Sequence, residues 1–175
     1  SEKLYLNLSE KQDKIKVGIV RYGNVLNSTG SVVPYFQSLL KHGQKWLPVT
    51  HTHMTRFIIT LDQAIDLLDY AYKTREENHG CVIVPRLKSL KIIDLVNAMG
   101  ARAEIIGIRA GEKLHEEMVS VEESMKVRDE GKYLVITREY INADKLGFKG
   151  ESFASDSQLM SMTQLKSYLK KLGVI

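Results

Sequence analysis

A polar loop follows an apolar segment near the start of the chain. The loop "YGNVLNSTGS" occupies residues 22–31 and leads into an amphipathic stretch. In α/β proteins ligands bind where strands end, and the N-terminus of a following helix favours anions. Gly23 and Gly30 are too far apart for the G-x-G-x-x-G fingerprint, and a Gly-Lys-Ser/Thr loop is missing. The loop is therefore a candidate anion site of another kind, with a solvated connection as the alternative.

Two arginines and a glutamate could form a clamp for a nucleotide. Arg56 stands between apolar residues in "HMTRF", and "RAGEKLHEEM" places Arg109 and Glu112 around Gly111, which permits a tight turn. A guanidinium binds phosphate through two parallel hydrogen bonds, and a carboxylate suits the paired hydroxyls of a ribose. Together these side chains predict nucleotide binding. The alternative for Arg56 is a surface residue whose stem is buried.

Metal and thiol chemistry are disfavoured by the placement of histidine and cysteine. No cysteine or carboxylate set completes a site with His51 and His53, and the motif H-E-x-x-H fails after His115 because Val119 replaces its second histidine. The single cysteine, Cys81, lies in the apolar run "CVIVP", which is typical of a buried structural residue. We therefore predict no metal site, no disulfide and a reducing compartment.

The composition predicts a globular protein of one sizeable core. The chain has 175 residues and a net charge of +4, with lysine and arginine scattered among the acidic residues. Nucleic-acid readers usually carry a concentrated basic face, so no nucleic-acid partner is predicted. Because no apolar run reaches membrane-spanning length and "SEKLYLNLSEKQDK" lacks the apolar middle of a signal peptide, we expect a soluble, cytoplasmic chain without membrane contact.

Strand patterns alternate with helix patterns, which predicts the α/β class. The predicted strands are "KVGIVRY", "LPVT", "CVIVP", "AEIIGI" and "KYLVIT". Helices are predicted over Glu2–Lys11 and Ser31–His42, from Thr60 with Gln63 in a capping box, over Ser89–Met99 before Gly100, and from Ser161 with Gln164 in the cap to Gly173. The third of these helices is predicted to bury Leu61, Ala64, Ile65, Leu68 and Tyr72.

Four motifs in sequence order resemble one enzyme family. The segments "VRYGNVLNSTGSVVPYF", "MTRFIITLDQAIDLL", "VPRLKSLKIIDL" and "IIGIRAGEKLHEEM" are similar to those of the UDP-N-acetylglucosamine 4,6-dehydratases, which belong to the extended short-chain dehydrogenase/reductase superfamily. The similarity is greatest to the inverting type, which also epimerises C5. It covers residues 1–120 and, more loosely, "FASDSQLMSMTQLKSYL". The chain departs from the family at Thr29, where a basic residue is usual, and at Ala110, where proline is usual.

The resemblance implies the C-terminal part of an NAD(P)-binding Rossmann-like fold together with its substrate-binding subdomain. Residues 1–30 would end the Rossmann-like domain, and residues 31–175 would form the substrate-binding region with returning Rossmann elements. By this resemblance the nicotinamide of NADP, or of NAD, lies against Tyr22, Gly23 and Asn24. The UDP-sugar lies against Asn24, Ser28, Thr29, Gly30, Ser31 and Val32, with Arg56 and Arg109 on its diphosphate and Glu112 on its ribose.

The resemblance also implies a lyase activity in polysaccharide or glycan precursor biosynthesis. In such enzymes NADP oxidises C4, water is eliminated across C5 and C6, and the hydride returns at C6. The glycine-rich loop and the Tyr-x-x-x-Lys pair of the family are absent from this sequence. We therefore expect no catalytic residue here, no turnover by the chain alone, and association with the missing N-terminal half or another chain in an oligomer. A non-catalytic remnant, half of a split enzyme, a related UDP-sugar epimerase and a retaining dehydratase are the alternatives.

Overall fold

The chain forms two compact units, each built from three separate segments. A computed structural model describes residues 2–11, 14–141 and 150–175. The first unit comprises Ser1–Tyr22, Leu61–Arg86 and Glu117–Phe153, and the second comprises Gly23–Thr60, Leu87–Glu116 and Ala154–Ile175. These units are defined by packing, so the functional division expected after residue 30 stays a prediction.

Six helices and eleven strands lie in the described residues. The helices are α1 (Glu2–Lys11), α2 (Val32–Lys41), α3 (Leu61–Lys73), α4 (Ile92–Ala98), α5 (Val121–Ser124) and α6 (Met162–Lys171). The strands are β1 (Ile19–Val20), β2 (Asn24–Val25), β3 (Trp46–Val49), β4 (Thr55–Ile59), β5 (Val82–Pro85), β6 (Lys88–Lys91), β7 (Arg102–Ile105), β8 (Glu117–Val119), β9 (Val127–Asp129), β10 (Tyr133–Ile136) and β11 (Phe153–Ala154). The predicted α/β class is confirmed.

The first unit is built on a four-stranded mixed sheet in the order β1-β5-β10-β9. β1 runs parallel to β5, whereas β10 runs antiparallel to both β5 and β9. Helix α3 buries Leu67 against Ile83 and Val135 of this sheet. Cys81 is buried beside them, as expected, and burial raises the pKa of its thiol.

The prediction of which face of α3 is buried is wrong. Leu67 is fully buried, while Leu61, Ile65, Leu68 and Tyr72 are exposed. Leu67, Tyr70 and Ala71, which pack in this core, also recur at helical spacing, so the apolar pattern alone does not tell which face of α3 packs against the sheet. Packing against β5 and β10 selects the face that carries Leu67.

The second unit contains a three-stranded sheet and a two-stranded sheet. In the first, the order is β2-β4-β6, with β2 parallel and β6 antiparallel to β4. In the second, β3 runs parallel to β7. The core lies between these sheets and three helices, and its fully buried side chains include Val33 and Phe36 of α2, Leu95 and Val96 of α4, and Leu165 and Leu169 of α6.

Most helix ends follow the sequence prediction. Helix α2 is flanked by Ser31 and His42, and Ser161 caps α6 through the predicted reciprocal bonds with Gln164. Gly100 and Gly173 follow α4 and α6 with φ of +74° and +66°, the left-handed conformation that ends helices.

Among the described residues, no helix combines the length and apolar character needed to cross a membrane.

The helix predicted from Ser89 is wrong at its start. Residues 88–91 instead form β6, and α4 begins at Ile92. Ser89 and Leu90 lie opposite Phe57 and Arg56 of β4 in antiparallel register. Strand β4 was not among the predicted strands, so the sequence offered no pairing partner that would indicate β6.

Candidate functional site

A cavity of about 500 Å³ lies within the second unit. Its apolar wall is continuous with the core and includes Phe36, Val49 and Leu95. Its polar lining comprises Asn24, Ser31, Thr50, Arg56, Arg109 and Glu112. A cavity of this size, apolar over most of its wall with a few polar groups together, is typical of a site for a small molecule.

Arg56 is largely buried and shared between two carboxylates. Its side chain is only 16% exposed, and its Nη1 donates hydrogen bonds to the carbonyl oxygens of Thr55 at 2.7 Å and Leu114 at 3.2 Å. Its Nη2 lies 3.6 Å from Glu112 Oε1, and its Nε lies 3.6 Å from Glu116 Oε1. The charge is therefore compensated within the unit, which explains how an arginine is tolerated between apolar residues of β4.

Arg109 and Glu112 form the two ends of a tight turn. The Glu112 backbone N–H donates to the Arg109 carbonyl at 3.0 Å, and the Arg109 N–H donates to Glu112 Oε2 at 3.2 Å. Gly111 has φ of +80°, as predicted from its position in this turn. The turn leaves Arg109 exposed and directs the carboxylate of Glu112 towards Arg56.

The N-terminus of α2 contributes the next part of the cavity wall. Ser31 is the N-cap residue, yet its hydroxyl makes no capping bond and Oγ is buried without a hydrogen-bond partner in the described residues. An N-cap serine usually accepts from the second or third N–H of the helix, and the third residue here is Pro34, which has none. Gly30 directly precedes this N-cap and has φ of +77°, in the left-handed region that favours glycine.

Comparison with known proteins assigns the family. A family model described as "polysaccharide biosynthesis protein" matches residues 1–138. The chain belongs to this family. It is 38% identical over 176 aligned residues to UDP-N-acetylglucosamine 4,6-dehydratase (inverting) of Campylobacter jejuni subsp. jejuni serotype O:2, an alignment covering 90% of this chain and 52% of that protein. The resemblance identified in the sequence is thereby confirmed.

Other members and neighbours agree on the extent of the match. A UDP-glucose 4-epimerase of Rickettsia rickettsii is 31% identical, and the alignment covers 90% of this chain and 50% of the epimerase. The X-ray structure of Pen from Bacillus thuringiensis superposes with a TM-score of 0.84 at 26% identity, over 99% of this chain and 56% of Pen. The chain spans about half the length of the relatives it matches, and the Rossmann-like extended fold is confirmed.

The cavity brings together most of the residues that were predicted to bind substrate. Its lining includes Asn24, Gly30, Ser31, Val32, Arg56, Arg109 and Glu112. Ser28 and Thr29 lie in the same loop but do not line the cavity. Their binding roles, and those of the lining residues, stay predictions.

The residues expected to face a nicotinamide also have contacts within the protein. Tyr22 is 52% exposed and belongs to the first unit. A Cβ atom on Gly23 would lie 2.7 Å from the Cβ of Phe57, so β4 itself accounts for the glycine. Asn24 lines the cavity, but its amide nitrogen is bonded to Phe57 O and to Glu116. The role of these three residues towards a cofactor stays a prediction.

Glu116 is the residue that the sequence analysis missed. Its carboxylate accepts hydrogen bonds from Asn24 Nδ2 and from the Phe57 backbone N–H, in addition to the ion pair with Arg56. No local pattern indicates these contacts, because its partners lie 59 or more residues earlier in the chain. In the sequence, Glu116 stood out only as the glutamate of an incomplete H-E-x-x-H motif.

The neighbouring His115 belongs to a network of hydroxyl groups. Its Nδ1 lies 2.8 Å from Thr55 Oγ1, which is 2.6 Å from Ser155 Oγ. Ser155 Oγ accepts from the backbone N–H of Glu116 at 2.9 Å. The network joins β4 to the segment that carries Glu116, whose carboxylate contacts Arg56 and Asn24 of the cavity lining.

In the described residues no group of three or more histidine, cysteine, aspartate or glutamate side chains could hold a metal ion.

Proposed function

We propose that this chain supplies the sugar-nucleotide-binding region of a UDP-N-acetylglucosamine 4,6-dehydratase of the inverting type. The observation that carries the proposal is the cavity, which places Arg109, Glu112 and Asn24 together with the N-terminus of a ten-residue helix. A diphosphate suits a guanidinium and the unpaired N–H groups of a helix N-terminus. A relative of the same family bears the name of this dehydratase.

The charges favour Arg109 over Arg56 as the partner of the diphosphate. Arg56 already faces two carboxylates, so its charge is offset before any ligand arrives. Arg109 is exposed at the cavity and is available to pair with phosphate oxygens in a bidentate manner. Glu112 retains acceptor capacity beyond its bonds to the turn and would hold the hydroxyls of the ribose.

The proposed dehydratase chemistry depends on a redox cofactor. A bound NADP would supply oxidation and reduction at the sugar. The chain contains no Tyr-x-x-x-Lys pair to serve as a base at C4, so we expect it to bind UDP-N-acetylglucosamine without converting it. Turnover would need association with a polypeptide that carries that pair.

Calorimetric titration of the full chain with UDP tests the proposal. We expect binding, and a loss of about tenfold in affinity for Arg109→Ala because one charged hydrogen-bonding group is removed. Arg102→Ala is the matched control, since Arg102 lies over the Trp46 ring outside the cavity lining. A wild-type chain that does not bind UDP, or an Arg102→Ala variant as weak as Arg109→Ala, contradicts the proposal.

A UDP-sugar epimerase is the second candidate, because the 31% identity to the Rickettsia enzyme extends over nine-tenths of this chain. The two candidates differ in the sugar that they accept. Titration with UDP-glucose and UDP-N-acetylglucosamine separates them. Tighter binding of the N-acetylated sugar favours the dehydratase, and tighter binding of UDP-glucose favours the epimerase.

A further inference from the structure

Glu116 contacts two strands of the second unit, β2 and β4, that lie far from it in sequence. Asn24 Nδ2 lies 3.2 Å from Glu116 Oε1 and 3.3 Å from Oε2, so one N–H is shared between the two oxygens. The Phe57 backbone N–H donates to Oε2 at 3.1 Å. Arg56 Nε lies 3.6 Å from Oε1. A single carboxylate therefore contacts β2, the backbone of β4 and the buried guanidinium.

These contacts fix which side of the Asn24 amide is turned to the cavity. A carboxylate is an acceptor only, and so is the Phe57 carbonyl, which receives the second Asn24 N–H at 3.2 Å. The nitrogen must therefore point at both partners, and the reversed amide would place oxygen against oxygen. Neither Phe57 nor Glu116 lines the cavity, whereas Asn24 does. The amide oxygen is the part left for a ligand.

We propose that Glu116 is a positioning residue that orients the Asn24 amide so that the cavity presents an acceptor. The site would then select a hydrogen-bond donor on the ligand, such as a sugar hydroxyl or an amide N–H. Glu116 does not touch the ligand. The identity of the ligand as a UDP-sugar rests on the proposed function, whereas the orientation of Asn24 does not.

The first test follows the Asn24 side chain in the ¹⁵N-labelled full chain, with Asn24→Ala used to assign its amide resonances. We expect Glu116→Ala to move the Asn24 amide pair towards the position of a free amide, because both of its N–H···O contacts to Glu116 are lost. Glu117→Ala removes the same charge from the adjacent residue, whose exposed side chain lies outside the cavity lining, and should leave the pair in place. If Glu116 only supported β4, Glu116→Ala would shift the Phe57 backbone resonance but would leave the Asn24 amide pair in place.

The second test is a double-mutant cycle on binding of UDP-N-acetylglucosamine. Asn24→Ala and Glu116→Gln should each weaken binding about fivefold, and the double variant should be no weaker than the single variants, because both remove one oriented acceptor. Glutamine at 116 tests orientation at nearly constant volume, because its amide N–H can donate to the oxygen of a reversed Asn24 amide.

The outcomes separate the inference from the proposed function. Unchanged Asn24 resonances in Glu116→Ala, or losses of affinity that multiply in the double variant, overturn the inference. A wild-type chain that binds neither UDP nor UDP-N-acetylglucosamine overturns the proposed function instead. In that case the Asn24 resonances still decide whether Glu116 orients the amide.

Discussion

Arg21 and Glu123 form a two-point ion pair within the first unit. Arg21 Nη1 donates to Glu123 Oε2 at 3.0 Å, and Nη2 donates to Oε1 at 2.6 Å. Glu123 also completes the capping box of α5, since its Oε2 accepts from the Ser120 N–H at 3.0 Å. Burial alone would raise the pKa of Glu123, but the bonds from Arg21 and Ser120 outweigh it and hold the pKa at about 2.

Replacing Glu123 should therefore destabilise the chain in a pH-dependent manner. The pKa in the folded state lies below its ordinary value of 4.5, so the stabilisation is present in full above pH 4.5 and is lost as the pH falls towards 2. At pH 7 we expect Glu123→Gln to lower the free energy of unfolding by about 2 kcal/mol, allowing for the partial exposure of the pair. Denaturant titrations at several pH values measure this difference.

Glu122→Gln provides the control for this prediction, because Glu122 lies in the first turn of the same helix but is exposed. Its effect should stay within about 0.5 kcal/mol. If wild type and Glu123→Gln differed as much at pH 2.5 as at pH 7, the ion pair would not be the cause.

Gly23 should tolerate no side chain. A Cβ at this position would lie 2.7 Å from Phe57 Cβ and 2.8 Å from the Phe57 carbonyl carbon and oxygen, and the backbone of β4 cannot move aside cheaply. We expect Gly23→Ala to lower the free energy of unfolding by about 2 kcal/mol. Thermal unfolding followed by circular dichroism measures it.

Gly18→Ala is the matched control for Gly23→Ala. The nearest atom to a Cβ at Gly18 is the Asn78 carbonyl oxygen at 4.0 Å, so this variant should be neutral or slightly more stable. Equal losses in the two variants would show that close packing against Phe57 is not the reason for Gly23.

Local signals in the sequence predicted the elements that are determined locally. Capping residues and terminal glycines located the start of α6 and the ends of α4 and α6, because the bonds that end a helix involve residues three or four positions apart. Strands β4 and β6 were missed because their pairing joins residues thirty or more positions apart, and β4 also pairs with the distant β2. The buried face of α3 likewise depends on a sheet formed by distant residues.

The candidate site likewise contains parts that the local sequence predicts and parts that depend on distant residues. The tight turn at Gly111 and the helix N-terminus at Ser31 follow from residue types alone. The carboxylate of Glu116, which binds Asn24 and Arg56, does not, because its partners are brought to it only by the fold. Local motifs therefore predicted residues that line the cavity, but not the glutamate that contacts Asn24 and Arg56.

Ser31 and Ser161 are both N-cap residues, yet their substitution should affect different properties of the chain. Ser161 Oγ accepts from the Gln164 N–H at 3.3 Å, whereas Ser31 Oγ, followed by Pro34, makes no capping bond. Ser161→Ala should lower the free energy of unfolding by about 1 kcal/mol, and Ser31→Ala by less than about 0.5 kcal/mol. Only Ser31 lines the cavity, so only Ser31→Ala should weaken UDP binding, by about fivefold. Unfolding and calorimetric titration of the two variants test both effects, and a Ser31→Ala chain that loses stability but keeps its affinity would remove Ser31 from the site.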